Sequence, residues 1–115
     1  MMIGHFELKK ASDGQFMFNL KASNGEIILT SERYTTKAAA LNGIESVQKN
    51  ATDEAHFELK VASSNKPYFV LKARNHQVIG QSQLYSSDLS AQNGIHSVMK
   101  NGVSTDIRDL TVVDK

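Results

Sequence analysis

The chain has 115 residues, with 13 Lys plus Arg against 12 Asp plus Glu, 40% hydrophobic and 22% charged residues, and no cysteine. That balance excludes charge-driven disorder and the positive excess of an electrostatic nucleic-acid binder, and the missing thiols exclude disulfides, cysteine nucleophiles and sulfur-ligated zinc. No apolar run approaches the roughly 20 residues needed to span a bilayer, and the opening Met1-Met2-Ile3-Gly4-His5 lacks an apolar signal-peptide core, so a cytoplasmic location is expected.

In chain order, Phe6 and Leu8 alternate with polar neighbours, the period-two signature of a strand. Ser12-Asp13-Gly14-Gln15 reads as a turn, and Phe16, Phe18 and Leu20 alternate again. Asn24-Gly25 then signals a two-residue type I′ hairpin turn, whose central residues need positive φ, before a third strand over about Glu26–Ser31. Thr35-Thr36 offers hydroxyl caps for a helix whose Ala40, Gly43, Ile44 and Val47 share one face. Glycine inside a helix costs about 1 kcal/mol relative to alanine, so Gly43 is expected to serve close packing against the sheet.

The whole pattern then recurs. His5-Phe6-Glu7-Leu8-Lys9 returns as His56-Phe57-Glu58-Leu59-Lys60, an offset of 51, and 23 of the 46 ungapped pairs from His5/His56 to Asn50/Asn101 are identical. The second copy has turns at Ser63-Ser64-Asn65 and Asn75-His76, caps at Ser86-Ser87 and a helix face of Ala91, Gly94, Ile95 and Val98. Pro67 sits at a strand start, where a missing donor is tolerated. The tail, 106–113, with Ile107, Leu110, Val112 and Val113, reads as a last strand. A unit of about 50 residues buries too little apolar surface alone, so one domain over 1–115 is expected, built from repeats 5–50 and 56–101 sharing a core.

Phe6–Lys9, Phe18–Asn24, Ser31–Thr35 and Gly43–Val47, with their copies Phe57–Lys60, Phe69–Asn75, Ser82–Ser86 and Gly94–Val98, resemble the tandem-repeat form of the YegP-like family. Gln83 stands where the first copy has Glu32. These are small bacterial and archaeal proteins of unknown function. The resemblance implies an α+β fold: two β(3)-α-β units forming one antiparallel sheet, two helices on one face, and exchanged C-terminal strands. It also implies a monomer acting as an internal pseudo-dimer, and it transfers no catalytic residue or ligand.

Two features are candidates for function. His5-x-Glu7 and His56-x-Glu58 each place an imidazole and a carboxylate on one strand face, a combination that binds zinc or manganese, and a pseudo-twofold could bring the pairs together. No third ligand is indicated, so no metal, cofactor or catalytic residue is assigned, and the bland reading is a solvated polar face. His76 reads as a turn residue and His96 as solvated. The second feature is the sheet face opposite the helices. Strand parity sends Met17, Asn19, Ile27 and Leu29 outward in one unit and Tyr68, Val70, Val78 and Gly80 in the other. From these, Met17, Ile27, Tyr68, Val70 and Val78 form the expected interaction face, against the alternative that turns, tail or a bulge cover it. The functional expectation is a non-enzymatic binding module for a protein, peptide or small molecule, with near-zero charge arguing against nucleic acid and no membrane partner. The rival is a small-molecule enzyme or metal-dependent site at the seam between the repeats.

Overall fold

Each repeat builds its core on the same four aromatic and glycine positions. Phe6 meets Phe18 edge-on at 5.9 Å and Phe18 stacks on Tyr34 at 6.4 Å, while Phe57, Phe69 and Tyr85 repeat the arrangement at 5.8 and 6.1 Å. The four phenylalanines lie on strands of a seven-stranded sheet, and the two tyrosines in the segments leading into the helices, in a computed structural model that describes residues 3–111. Val112 and Val113 of the expected tail strand lie outside the described residues.

The elements are β1 (His5–Lys10), β2 (Phe16–Lys21), β3 (Ile27–Ser31), α1 (Lys37–Asn50), β4 (Phe57–Val61), β5 (Pro67–Lys72), β6 (Val78–Gln81), α2 (Asp88–Asn101) and β7 (Ile107–Asp109). The sheet order is β4-β5-β6-β3-β2-β1-β7, antiparallel throughout except where β7 joins β1 in parallel. Both helices pack on one sheet face, burying Ala40, Gly43, Ile44 and Val47 from α1 and Ala91, Gly94, Ile95 and Val98 from α2. Their caps are the expected hydroxyls: Thr36 Oγ1 accepts from Ala39 N–H at 3.0 Å and Ser87 Oγ from Ser90 N–H at 3.1 Å. No helix among the described residues is long and apolar enough to cross a membrane.

The two repeats meet at β3 and β6, where Thr30 pairs with Gln81 and Ser31 with Gly80. Thr30 and Gln81 are equivalent positions of the two copies, so the pseudo-twofold axis passes through that pair. Leu29 and Gly80 are also equivalent, and a Cβ at Gly80 would lie 3.2 Å from Leu29 Cγ and 2.7 Å from the Thr30 carbonyl oxygen. The axis holds one leucine because its counterpart has no side chain.

Two local readings need correction. The hairpin after β2 is not a type I′ turn. Ala22 N–H bonds to the Glu26 carbonyl and Gly25 N–H to the Ala22 carbonyl, with Gly25 alone at positive φ, a three-residue loop ending in a left-handed residue. Gly14, Asn65 and His76 (φ 70°) occupy the same place in the other hairpins. The second correction concerns parity. A bulge at Ile28, between the pairs Leu20↔Leu29 and Lys21↔Ile27, turns Leu29 toward the helices rather than outward, and Ile79 does the same for Gly80. Ile28, Leu29 and Ile79 all join the core.

The exchange of C-terminal strands takes an unequal form. After α2 the chain crosses to the opposite repeat and adds β7 to β1, with Phe6 N–H donating to the Asp106 carbonyl and Leu110 N–H to the Leu8 carbonyl, each at 2.9 Å. After α1 it makes a single 3-10 turn, Glu54–His56, and runs straight into β4. A strand laid parallel to β4 just before β4 would need a crossover of about a dozen residues to return, and the six from 51 to 56 cannot provide one.

Two measurements check this packing. A Cβ at Gly43 would stand 2.8 Å from Tyr34 Cζ and 3.0 Å from Phe18 Cε2, and Gly94 meets Tyr85 and Phe69 the same way. Gly43→Ala is therefore expected to lower stability by about 1–3 kcal/mol in chemical denaturation, despite about 1 kcal/mol gained in helix propensity, and Tyr34→Phe should recover part of the loss. A neutral Gly43→Ala would refute the close approach. In the hairpins, His76→Gly should stabilise by about 0.5–1 kcal/mol, and Gly25→His should cost a similar amount, because only glycine takes positive φ without strain. Equal and same-signed effects at the two sites would contradict that account.

Candidate functional site

The helix-free sheet face is built in lateral rows by the strand registers. One row crosses all seven strands as Arg108, Glu7, Asn19, Thr30, Gln81, Val70 and Glu58. On either side of it, Lys9 pairs with Met17 and Lys60 with Tyr68, while His5 pairs with Lys21 and Lys21 with Ile27, and Lys72 with Val78. Four lysines (Lys9, Lys21, Lys60 and Lys72) thus share this face with two carboxylates, Glu7 and Glu58, while Arg108 is paired with Asp106.

The five apolar residues expected to open onto this face sit on it but are not exposed together. Ile27 is exposed at 42%, Met17, Tyr68 and Val78 are half-buried, and Val70 is buried at 4%. Val70 lies between Glu58 and Gln81, and Met17, Tyr68 and Val78 each stand opposite a lysine, whose four-carbon stem can lie over an apolar neighbour while its ammonium reaches water. The face is a cationic surface with apolar patches between the lysines, not a continuous greasy one. Position parity finds the side chains, but which neighbours stand across from them is a feature of register.

The two His-x-Glu pairs behave differently. His5 Nε2–H donates to Glu7 Oε2 at 2.9 Å, and Lys21 and Lys9 approach the same carboxylate at 3.1 and 3.7 Å. The His5 hydrogen bond, with help from the two lysines, holds the Glu7 carboxyl below the ordinary carboxylate range against the upward pull of partial burial. In the second repeat Glu58 pairs with Lys72, while the His56 ring turns inward, its Nδ1 bonding to the Lys72 carbonyl at 3.0 Å. β1 and β4 are also five strand spacings apart, about 24 Å, so the pseudo-twofold keeps the pairs at opposite ends rather than bringing them together. Among the described residues no group of three or more His, Asp or Glu is placed to hold one metal ion.

The seam does carry concavity. A groove of about 750 Å³ runs between the end of α1 and the β5–β6 hairpin, lined by Lys49, Asn50, Asp53, His56, Arg74 and Asn75. A smaller neighbour, about 380 Å³, includes Glu32, Tyr34 and Ser46 from one repeat and Val78 and Ile79 from the other. His56 Nε2 lies 3.9 Å from Asp53 Oδ2, which is too far for a hydrogen bond, and burial pushes the Tyr34 phenol upward, away from service as a base.

At the far end of the molecule the corresponding features are filled by the chain itself. Asn101 Oδ1 accepts from Gly4 N–H at 2.8 Å and Ser104 Oγ–H donates to the Gly4 carbonyl at 2.7 Å, while β7 covers the β1 edge and Asp109 reaches Lys37 on α1. Lys37 and the Thr111 hydroxyl and amide push the Asp109 carboxyl down to about 2. A Cβ at Gly4 would run into the Lys21 carbonyl, so only glycine passes there. Its counterpart is Ala55, and that chain swings outward into the 3-10 turn, leaving the equivalent Lys72 carbonyl to the His56 ring. Sequence reading passes over this lock, although glycine at position 4 against alanine at 55 is its trace.

Glu7 generates a pH test. A carboxyl whose folded pKa is lowered stabilises the fold fully above its unfolded value, near 4.5, and loses that contribution as pH falls through the lower folded value. Glu7→Gln should therefore shift the urea midpoint downward at neutral pH and flatten the acid limb below about 4.5. Parallel acid limbs in the two proteins would show that the cluster contributes nothing.

Comparison with known proteins places this geometry. The model of a domain of unknown function (DUF1508) matches residues 11–58 and 62–109, each match spanning two strands and a helix, the first ending at the start of β4 and the second at the end of β7. The chain is similar to the UPF0339 protein YegP of Yersinia pestis, 64% identical over 112 residues, covering 97% of this chain and 100% of that one. It is likewise 64% identical to the UPF0339 protein PM0519 of Pasteurella multocida over 111 residues, 96% of this chain and 97% of the other. Among solved structures it resembles the solution NMR structure of UPF0339 protein SO3888 from Shewanella oneidensis, with a TM-score of 0.89 at 60% identity, over 96% of this chain and 93% of that one. The NMR structure of the Escherichia coli yegP protein of unknown function matches with a TM-score of 0.92 at 53% identity, over 99% and 98% of the two chains.

Proposed function

The chain belongs to the UPF0339 (YegP) family of tandem-repeat proteins, and on that footing we propose that it is a non-enzymatic interaction module whose helix-free sheet face binds an acidic protein or peptide surface. One observation carries the reading: four lysines face two carboxylates there, in a chain whose net charge is only +1. Both carboxylates are already engaged, Glu7 by His5 and Lys21 and Glu58 by Lys72, and Arg108 is taken up by Asp106, so the excess charge on this face is positive and lies with Lys9 and Lys60. Between the lysines, Met17, Ile27, Tyr68 and Val78 offer apolar contact, the pairing of charge for approach and hydrophobic area for retention that partner surfaces use.

The test is titration of the isotope-labelled chain with an oligoglutamate peptide, followed by amide and methyl shifts. Perturbations should map to β1, β2, β4 and β5 around Lys9, Met17, Lys60 and Tyr68, and should weaken as salt rises through the Debye regime. A Lys9→Glu, Lys60→Glu double variant should fold normally and lose them. Shifts confined to the helices, or a response unchanged by the double variant, would reject this face as the site. A short DNA duplex that perturbs the face more strongly than oligoglutamate would reject the acidic-protein partner.

A further inference from the structure

Covalent fusion of the repeats leaves one sheet edge without the strand that its equivalent possesses. β1 is covered by β7, and Phe6 and Leu8 beneath it are wholly buried. β4 has no strand on its outer side among the described residues, and there Phe57 is half-buried, Leu59 is 39% exposed and Val61 67% exposed. The backbone groups of Phe6 and Leu8 face β7, so by repeat equivalence the Phe57 carbonyl and both backbone groups of Leu59 face outward on β4. The Phe57 N–H is held by the Glu54 carbonyl of the 3-10 turn. Long exposed edges with apolar side chains invite another strand.

We infer that the outer edge of β4 is a docking site for an extended peptide segment of a partner, laid parallel to β4, with an apolar residue against Phe57 and a basic residue two positions later against Asp88. The register comes from the occupied edge. In β7, Ile107 lies opposite Phe6, and Asp109, opposite Leu8, reaches Lys37 in the first turn of α1. The residue equivalent to Lys37 is Asp88, at the same place in α2, and it forms no ion pair among the described residues. Beside it Leu89 is 69% exposed where the first repeat has Ala38, widening the apolar area available to an incoming strand.

The exchange of Lys37 for Asp88 also selects the occupant. A second copy's β7 would set Asp109 against Asp88, two like charges at the position where the first repeat has an ion pair. The edge therefore discriminates against the chain's own tail and favours a segment of opposite charge at that position.

The test uses the full chain and two synthetic peptides spanning residues 104–111, one unaltered and one with Asp109→Lys. The altered peptide should shift the amides of Phe57–Val61 and of the first turn of α2, slow hydrogen exchange at the Leu59 N–H, and bind about ten-fold more tightly than the unaltered one. Asp88→Lys should invert that preference, and Asp88→Asn, which leaves the helix start uncharged, should abolish it. If neither peptide perturbs β4, or if the preference survives both substitutions, the inference fails. Concentration-dependent shifts at Phe57–Val61 without peptide would assign the edge to a second copy and overturn it as well. Because the readout is on β4 and α2, its outcome is separate from that of the oligoglutamate titration on the sheet face.

Discussion

The short ladder between β3 and β6 is the constraint on which the rest of the molecule depends. Only Thr30↔Gln81 and Ser31↔Gly80 pair across it, yet it turns two three-stranded sheets into one. Two residue pairs make a weak joint by themselves, and the helices reinforce it from behind. α1 reaches across to β5 and β6 while α2 reaches β2 and β3, so each helix straddles the joint. Their ends meet where Ala51 packs on Gly102, equivalent residues again, with no room for a Cβ on the glycine. The axis is thus marked twice by a glycine facing a larger counterpart: Gly80 beneath Leu29 and Gly102 against Ala51. Perfect symmetry would place two side chains in each space, and the duplicated chain escapes by letting the copies diverge.

A second divergence separates the two ends. At one end Gly4, Asn101, Ser104 and β7 lock the termini together through buried polar contacts. At the other, Ala55 cannot follow the path of Gly4, His56 fills the vacated hydrogen-bonding position, and Asn50 opens onto a groove instead of holding a backbone amide. The same repeated pattern yields a closed end and an open one because only six residues, 51 to 56, join α1 to β4, whereas β7 is reached after α2 with no such constraint.

Much of this was legible in the residues. The offset of 51 exposes the repeat, alternation places Phe6, Phe18 and Leu20 on the helix side, and Gly43 with Gly94 announces a close approach. Parity fails at Ile28, because a bulge is a backbone event that no side-chain pattern distinguishes from an ordinary apolar pair. The hairpin type fails at Asn24-Gly25 because the loop closes one residue earlier, at Ala22, and one left-handed residue suffices. The candidate face suffers most. Alternation says that Val70 and Met17 point away from the helices, but exposure depends on which long side chains stand beside them, and that is set by register between strands distant in sequence. The His-x-Glu pairs show the same limit: identical triplets form a contact in β1 and none where the 3-10 turn enters β4, because the residue before them decides how the chain enters.

The pairing of β7 with β1 joins residues 107 and 6, nearly the full length of the chain. Contacts of that separation carry the greatest loop-closure cost and form late. During synthesis on the ribosome the first repeat emerges with Phe6 and Leu8 uncovered and stays so until the last strand leaves the exit tunnel. For that interval β1 presents the kind of edge that β4 keeps permanently, and a nascent chain in this state is open to association with its neighbours on the same message. The charged side chains that flank Phe6 and Leu8 in β1, Glu7, Lys9 and Lys10, are then gatekeepers of biogenesis as much as parts of the finished surface.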